Sequence, residues 1–314
     1  MYLRRQHGEP APWTIDPILS SYRFTNTYRA ADRVSQYLIR QVQYHQDRPQ
    51  TPPELFFRTI LFKIFNKIET WEALEQAHGP LTWATVDLEA LDHTLSRLLV
   101  RGTRIYSAAY IMPAPAFGAA RKHTNHLRLI ETMMADRLAD RLRQGPDLGS
   151  VYERIVRYPG LGPFLAFQYT IDLNYSELLD FDENDFVVAG PGALDGISKC
   201  FLSTGGRTPD QLIQWVTDHQ EREFEARGID FPGLFGRRLH PIDCQNLFCE
   251  ISKYARVAHP DIPGIANRHR IKQGYTCDTR ELPAPMFPPK WGLQLPEPSG
   301  RPTETVARLV PTFV

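Results

Sequence analysis

An all-α fold follows from three observations on the sequence. Apolar residues recur every three or four positions in segment after segment, and period-2 alternation is nearly absent. Proline stands at the opening of several of these segments (Pro52-Pro53, Pro163, Pro209, Pro241), where its missing N–H costs a helix nothing.

The elements follow in order. Residues 25–44 read as a helix through Val34, Leu38 and Val42. Residues 53–77 read as a second helix, apolar nearly all round from Leu55 to Trp71 and therefore buried. Further helices fit 86–100, 124–143, 209–227 and 241–257. The 209–227 helix opens on Thr208 as cap and Pro209 as first residue. Short extended pieces are expected near Phe186–Ala189. Residues 1–20 read as an N-terminal extension, 21–282 as one helical domain with a hairpin at 155–175, and 283–314 as a Pro-rich tail that wraps the surface or dangles.

Composition excludes several classes. The 314 residues are 42% apolar and 23% charged, ordinary for a globular chain and enough for one large core or two lobes. Lys+Arg and Asp+Glu both number 36, so no strong net charge advertises nucleic acid, although a local basic face stays open. Cys200, Cys244, Cys249 and Cys277 form no C-x-x-C pair, and they read as free thiols in a reducing compartment. No metal or cofactor is expected. The start has no apolar h-region and no apolar run reaches about 18 residues, so a cytoplasmic location is the simplest reading.

Three polar stripes cross these apolar helices. Thr59, Lys63, Asn66 and Thr70 fall on one face of the 53–77 helix, which burial permits only where each is paired. Asp243, Asn246, Glu250 and Lys253 form a second line, at i, i+3, i+7 and i+10, with Arg237, Arg238 and His240 at its mouth. Asn26, Arg29 and Arg33 share a third face, beside Asp32 and Gln36. Each stripe reads either as surface or structural pairing or as the wall of a site.

The stretch "RIVRYPGLGPFLAFQYTI" breaks a helix at Tyr158, turns through Pro159-Gly160-Leu161-Gly162 and restarts on Pro163. Gly160 and Gly162 allow a tight turn, and the N–H groups opening the second helix offer an anion site of the kind a DNA phosphate occupies. Ile155, Val156, Leu165 and Ala166 pack the two arms together.

This stretch resembles the helix-hairpin-helix of the DNA glycosylase superfamily. Longer blocks, "TNTYRAADRVSQYLI", "FRTILFKIFNKIETWEAL", "FVVAGPGALDGISKCF" and "GRRLHPIDCQNLFCEISKYARVAHP" among them, resemble a narrower family across about residues 20–275. That family is the helical domain associated with 5-hydroxymethyl-deoxyuridine DNA kinases and the alpha-glutamyl/putrescinyl thymine pyrophosphorylase group. The resemblance implies a glycosylase-like fold, two helical lobes around a cleft, acting on modified bases in DNA. The sequence contains no G-x4-G-K-[ST], so the chain itself is not expected to be a kinase. It departs from the glycosylase pattern too: Ala189-Gly190 stands where a Val-Asp pair is usual.

The leading expectation is a DNA glycosylase that flips out and excises a modified base, leaving an abasic site, in phage defence. One alternative is a transferase that displaces pyrophosphate from a modified thymine to install an amine or amino acid. Another is a non-catalytic DNA-binding module. A carboxylate would stabilise positive charge on the sugar or activate water, with Asp243 first and Asp195 and Asp172 behind it. Asn26, Arg29, Lys63, Asn66, Asn246 and Glu250 are the expected base pocket. Gly160, Gly162, Gly190, Gly192, Lys199, Arg237 and Arg238 are the expected DNA contacts, with Arg268, Arg270 and Lys272 as further phosphate partners. The expected partner is DNA carrying modified bases.

Overall fold

A computed structural model describes residue 4 and residues 9–109, 112–276 and 283–295. Thirteen α-helices make up the described residues; no strand occurs there, only two isolated bridges, Tyr22 with Gly274 and Leu234 with Arg237. The 186–189 segment expected to be extended pairs with no other strand. No helix there is long and apolar enough to cross a membrane.

The helices are α1 (Pro17–Ser21), α2 (Arg33–Tyr37), α3 (Pro52–Phe65), α4 (Ile68–His78), α5 (Leu88–Val100), α6 (Lys122–Ala135) and α7 (Leu138–Arg143). They continue with α8 (Leu148–Ile155), α9 (Pro163–Asn174), α10 (Pro191–Cys200), α11 (Pro209–Asp218), α12 (Gln220–Glu225) and α13 (Pro241–Ala258). Several of the long helices expected from periodicity are broken. The 25–44 segment becomes a 3-10 turn at Arg29–Ala31, then α2, then a π-turn over Leu38–Gln43. The 53–77 helix ends at Asn66 (φ 47°), so Thr70 lies on a different helix from Thr59 and Lys63. A left-handed residue, Arg137 (φ 50°), separates α6 from α7, and His219 separates α11 from α12. In each case apolar periodicity runs on across the break, because both pieces bury the same side of the chain. Thr208 and Gln211 form the capping box that opens α11.

The apolar residues form two clusters. One gathers α3 to α9 around Phe56, Phe57, Phe62, Trp71, Leu129 and Ile130. Each such side chain, fully withdrawn from water, contributes about 1.5–3 kcal/mol. The other joins Tyr28, Ile39, Val187, Ile213, Ile242 and Phe248, drawn from the N-terminal segment and α10 to α13. Helix α9 belongs to both. Leu165, Ala166, Tyr169 and Leu173 face the first cluster, while Phe167 and Ile171 face the second. Within the second, α10 and α13 approach so closely that a Cβ on Gly196 would lie 2.0 Å from the Phe248 carbonyl oxygen.

The hairpin brings α8 back onto α9. Gly160 takes φ 83°, open to glycine at little cost, and Gly162 stands at the N-cap with Pro163 in the first turn. The described part of the tail wraps the surface. Gln36 exchanges two hydrogen bonds of 2.9 Å with the Met286 backbone, and Phe287 is buried. Residues 296–314 and Cys277 lie outside the described residues. Cys200, Cys244 and Cys249 are free thiols.

Candidate functional site

Helix α9 is apolar nearly all round, yet it carries Gln168 and Asp172 one turn apart, at the seam where the two clusters meet. Asp172 is 0% exposed. A carboxylate there needs charged partners, and it has two. The Arg29 guanidinium grips it bidentately, at 2.6 and 2.8 Å, and donates its Nε–H to Gln168 Oε1 at 2.9 Å. Lys63 Nζ lies 3.1 Å from Asp172 Oδ2 and donates to Asn66 Oδ1 at 2.7 Å.

Local structure places each of these groups. The 3-10 turn after the 24–28 segment points Arg29 inward, and the left-handed Asn66 that ends α3 turns its amide back toward Lys63. The π-turn brings Gln43 to the seam, where it donates to the Asp172 carbonyl at 2.8 Å and to Thr59 Oγ1 at 3.2 Å. Desolvation opposes ionisation of Asp172, but Arg29 and then Lys63 hold its carboxyl below the usual range. Burial, with Arg29 adding repulsion, lowers Lys63 against the pull of Asp172.

A second layer adjoins this triad. Asp243, at the third position of α13, accepts from the His240 and Arg29 backbone N–H groups at 3.0 Å each. Burial raises its carboxyl to about 6, against those two hydrogen bonds and the charges of Arg237 and Arg29. Glu183 pairs with Arg237 at 3.2 Å, and burial raises it to about 7 against that pairing. The Arg237 guanidinium lies 3.7 Å from the Trp291 ring centroid, so the tail covers it, while Trp291 meets Tyr175 edge-on at 5.5 Å. The seam thus holds three cations (Arg29, Lys63, Arg237) against three carboxylates (Asp172, Asp243, Glu183). Burial thus raises Asp243 and Glu183 above the ordinary carboxylate range, whereas its two cations hold Asp172 below it.

The structure therefore gathers Arg29, Lys63, Asn66, Asp172 and Asp243 at one place. Asn26, Asn246 and Glu250 lie beside it and bind backbone. Asn246 donates to the Asn26 and Thr27 carbonyls, Asn26 Oδ1 accepts from the Tyr28 N–H, and Glu250 accepts from the Thr25 N–H at 3.1 Å. The α13 stripe is thus a seat for residues 25–29 rather than a solvent-facing strip.

Asp195 belongs to a separate cluster. It accepts from Ser252 and from the Ala266 N–H at 2.8 Å, and Lys199 lies 3.2 Å away with its own side chain buried. These groups pin the 264–266 loop onto α10 and α13. Gly190 and Gly192, expected among the DNA contacts, are packed against other side chains. A Cβ on Gly190 would meet the Phe164 ring at 2.6 Å, and one on Gly192 would meet Cys249 Sγ at 2.9 Å, so protein fills both spaces. Arg238 donates to the Thr217 carbonyl at 2.6 Å and lies 3.2 Å from Glu221. Gly162, Arg268, Arg270 and Lys272 are exposed.

Gln43, Gln168, Tyr175, Glu183 and Trp291 are the seam residues that sequence reading missed. Gln168 carried a legible signal, one turn before an acid in an otherwise apolar helix. The others sit in a π-turn, at a helix end or in loops, where no periodicity marks them.

Comparison with known proteins gives the chain's family. The family model described as "5-hmdU DNA kinase, helical domain" matches residues 1–264. A 5-hmdU DNA kinase of Bacillus phage SP10 is 26% identical over 271 residues, 81% of this chain and 42% of that protein. No solved structure matches. The chain belongs to the family of 5-hmdU DNA kinase helical domains, and it spans less than half the length of the curated relative it matches.

This overturns the leading expectation from sequence. The family and the relative are named for a kinase, a phosphotransferase on DNA, so excision of a base by a glycosylase, with base flipping and hydrolysis of the N-glycosidic bond, is not their activity. The transferase alternative stands closer, since it too is a group transfer on a modified base.

Proposed function

We propose that this chain is a DNA-handling helical domain serving group transfer at the 5-hydroxymethyl oxygen of 5-hydroxymethyl-deoxyuridine in DNA. The observation that carries the reading is the family match over residues 1–264, supported by the phage kinase that shares 81% of the chain. Such a domain must hold DNA, distinguish a hydroxymethyl from a methyl group, and manage the proton that leaves the hydroxyl as it takes up a phosphoryl group. The buried Arg29–Asp172–Lys63 triad ties together the two clusters of such a domain. Residues 1–314 contain no G-x4-G-K-[ST], and we assign the phosphoryl-donor site to a portion of the system outside them.

The test is titration of three otherwise identical duplexes carrying thymidine, 5-hydroxymethyl-deoxyuridine or its phosphate ester. Mass spectrometry of the DNA after incubation with ATP and magnesium accompanies it. Tighter binding to the hydroxymethylated duplex than to the thymidine duplex is expected. Equal affinity for all three overturns the reading. A fourth duplex carrying the pyrophosphorylated base is incubated with and without an added amine, and a mass change only with the amine favours the amine-transferring alternative.

A further inference from the structure

The segment Pro283–Leu295, PAPMFPPKWGLQL, lies beyond the residues that the family model matches. Its four prolines lack a backbone N–H donor, and side chains do the holding. Gln36 grips the Met286 backbone from both sides, and Arg40 donates to the Ala284 carbonyl. Lys290 Nζ donates to the Ser176 carbonyl at 2.9 Å and to that of Leu179. Phe287 packs beside Phe235, with ring centroids 5.9 Å apart. Lifting such a strap breaks a handful of contacts, and no α-helix or sheet ladder has to unravel.

A 3-10 turn at Pro289–Trp291 sets the Trp291 indole on the Arg237 guanidinium, 3.7 Å from the ring centroid. A tightly wound loop presents Arg237 from below. Gly233 (φ 69°), Phe235 (φ 51°) and Gly236 (φ 88°) are left-handed there, and a Cβ on Gly233 would lie 2.3 Å from the Arg237 carbonyl oxygen. Phe235 pays strain for its conformation, and strain of this kind gathers at ligand clamps. The edge of Tyr175 meets the indole at 5.5 Å, and Phe287 stacks with it at 6.1 Å. The buried Glu183 carboxylate, 3.2 Å from Arg237, sets an acceptor beside this shelf of donors. Trp291 and Phe287 both belong to the strap, whereas Arg237, Glu183 and Tyr175 belong to the body beneath it.

A guanidinium face attracts planar π-systems in general, and an indole and a purine are both a five-membered ring fused to a six-membered one. We infer that Trp291 is an internal stand-in for a purine: the Arg237 shelf is a purine-binding slot, and the Pro283–Leu295 strap is its plug. With the strap lifted, Arg237 stacks on the purine, while its N–H groups and the Glu183 carboxylate offer a donor and an acceptor to the polar edge of the ring. The sequence set Arg237 among contacts to DNA, and the slot turns its face to a ring rather than to a phosphate. A free purine nucleotide and an unpaired purine in a strand present the same chemistry. The slot goes beyond the proposed function and does not depend on a preference for hydroxymethylated DNA. Plug and ligand exclude each other, so apparent affinity is reduced by the fraction of molecules whose strap is lifted.

The experiment compares wild type, Trp291→Ala and the double variant Trp291→Ala, Arg237→Gln. Equilibrium dialysis measures binding of adenosine monophosphate. Fluorescence anisotropy measures binding of single-stranded oligodeoxyadenylate and of an abasic strand of equal length. Phenylglyoxal modification of Arg237, read by peptide mass spectrometry, reports its cover. Trp291→Ala should bind the nucleotide or the oligodeoxyadenylate about threefold or more tighter than wild type. The gain should vanish in the double variant and on the abasic strand. Arg237 should be modified faster in Trp291→Ala than in wild type, and bound purine should slow it. A gain with the monophosphate names a free nucleotide as the source, and a gain with the strand alone names an unpaired base. Affinity of Trp291→Ala at or below wild type for both purine ligands, or an equal gain on the abasic strand, overturns the slot. An unchanged rate of Arg237 modification overturns the plug. Urea midpoints verify folding, and if Trp291→Ala does not fold, Lys290→Gln carries the same comparison, since it loosens the strap from Ser176 and Leu179 without touching the slot. Equal affinity of wild type for thymidine and hydroxymethylated duplexes sinks the proposed function and leaves the slot standing.

Discussion

Replacing Asp172 with Asn removes the carboxylate that the Arg29 guanidinium grips and that Lys63 Nζ faces at 3.1 Å, and leaves the shape of the site intact. Both cations are almost wholly withdrawn from water, Arg29 at 5% and Lys63 at 4% exposure. Breaking a buried pair from one side costs about 3–5 kcal/mol, since the remaining charge stays buried, and here two cations lose the same carboxylate. Lys63→Met is a different perturbation. It leaves the bidentate Arg29–Asp172 pair in place and removes an ammonium whose ionised form burial already disfavours. Asn66 and Asp172 each lose one donor, a cost of about 1–3 kcal/mol partly offset by the desolvation no longer incurred. Asp172→Asn should therefore exceed Lys63→Met by about 2 kcal/mol or more. Urea unfolding at neutral pH measures both, with the m-value as a check that the unfolded state has not changed. In the double variant only Arg29 loses a carboxylate, so Asp172→Asn should cost less on the Lys63→Met background than in wild type. Equal losses in the two single variants, or a loss under about 1 kcal/mol for Asp172→Asn, would refute an ionised triad.

Two further outcomes are expected. Asp243 and Glu183 both have folded-state values above their ordinary ones, about 6 and about 7 against 3.8 and 4.5. The stability each contributes is complete below its ordinary value and lost as pH rises through the folded one, so between about pH 4 and 7 Asp243→Asn and Glu183→Gln should lose less stability than wild type. Parallel wild-type and variant curves in that window would remove these groups from the titration. Gly196→Ala drives a methyl group against the Phe248 carbonyl, and α10 and α13 must separate to admit it. An unfolding loss of about 1–3 kcal/mol or more is expected, measured by urea midpoint, and an unchanged midpoint would mean the helices yield freely.

The all-α class was legible because apolar periodicity survives every break in the chain. The breaks were not, because they are made by left-handed Asn66 and Arg137 and by a π-turn, none of which interrupts that periodicity. Within the site, Arg29, Lys63, Asn66, Asp172 and Asp243 stood out as charged or amide groups in apolar surroundings, and the fold brings them together. Their pairings stayed hidden because Arg29 and Asp172 lie 143 positions apart. Lys199 and Arg237 looked like free cations in sequence, yet each is matched by an acid the fold supplies, Asp195 one turn before and Glu183 far away. A count of charges cannot tell an inward cation from an outward one.

Helix α9 presents one face to each apolar cluster, and its Asp172 is clamped by a residue from either side: Lys63 from α3 and Arg29 from the N-terminal segment. Neither half has a complete interior of its own, because each borrows the same helix. Melting one half would strip a face of α9 and strand a charge in the other, so the two are thermodynamically linked and lose order together. A hinge at the seam would have to tear the carboxylate from one of its cations. Slow amide exchange should accordingly concentrate along α9.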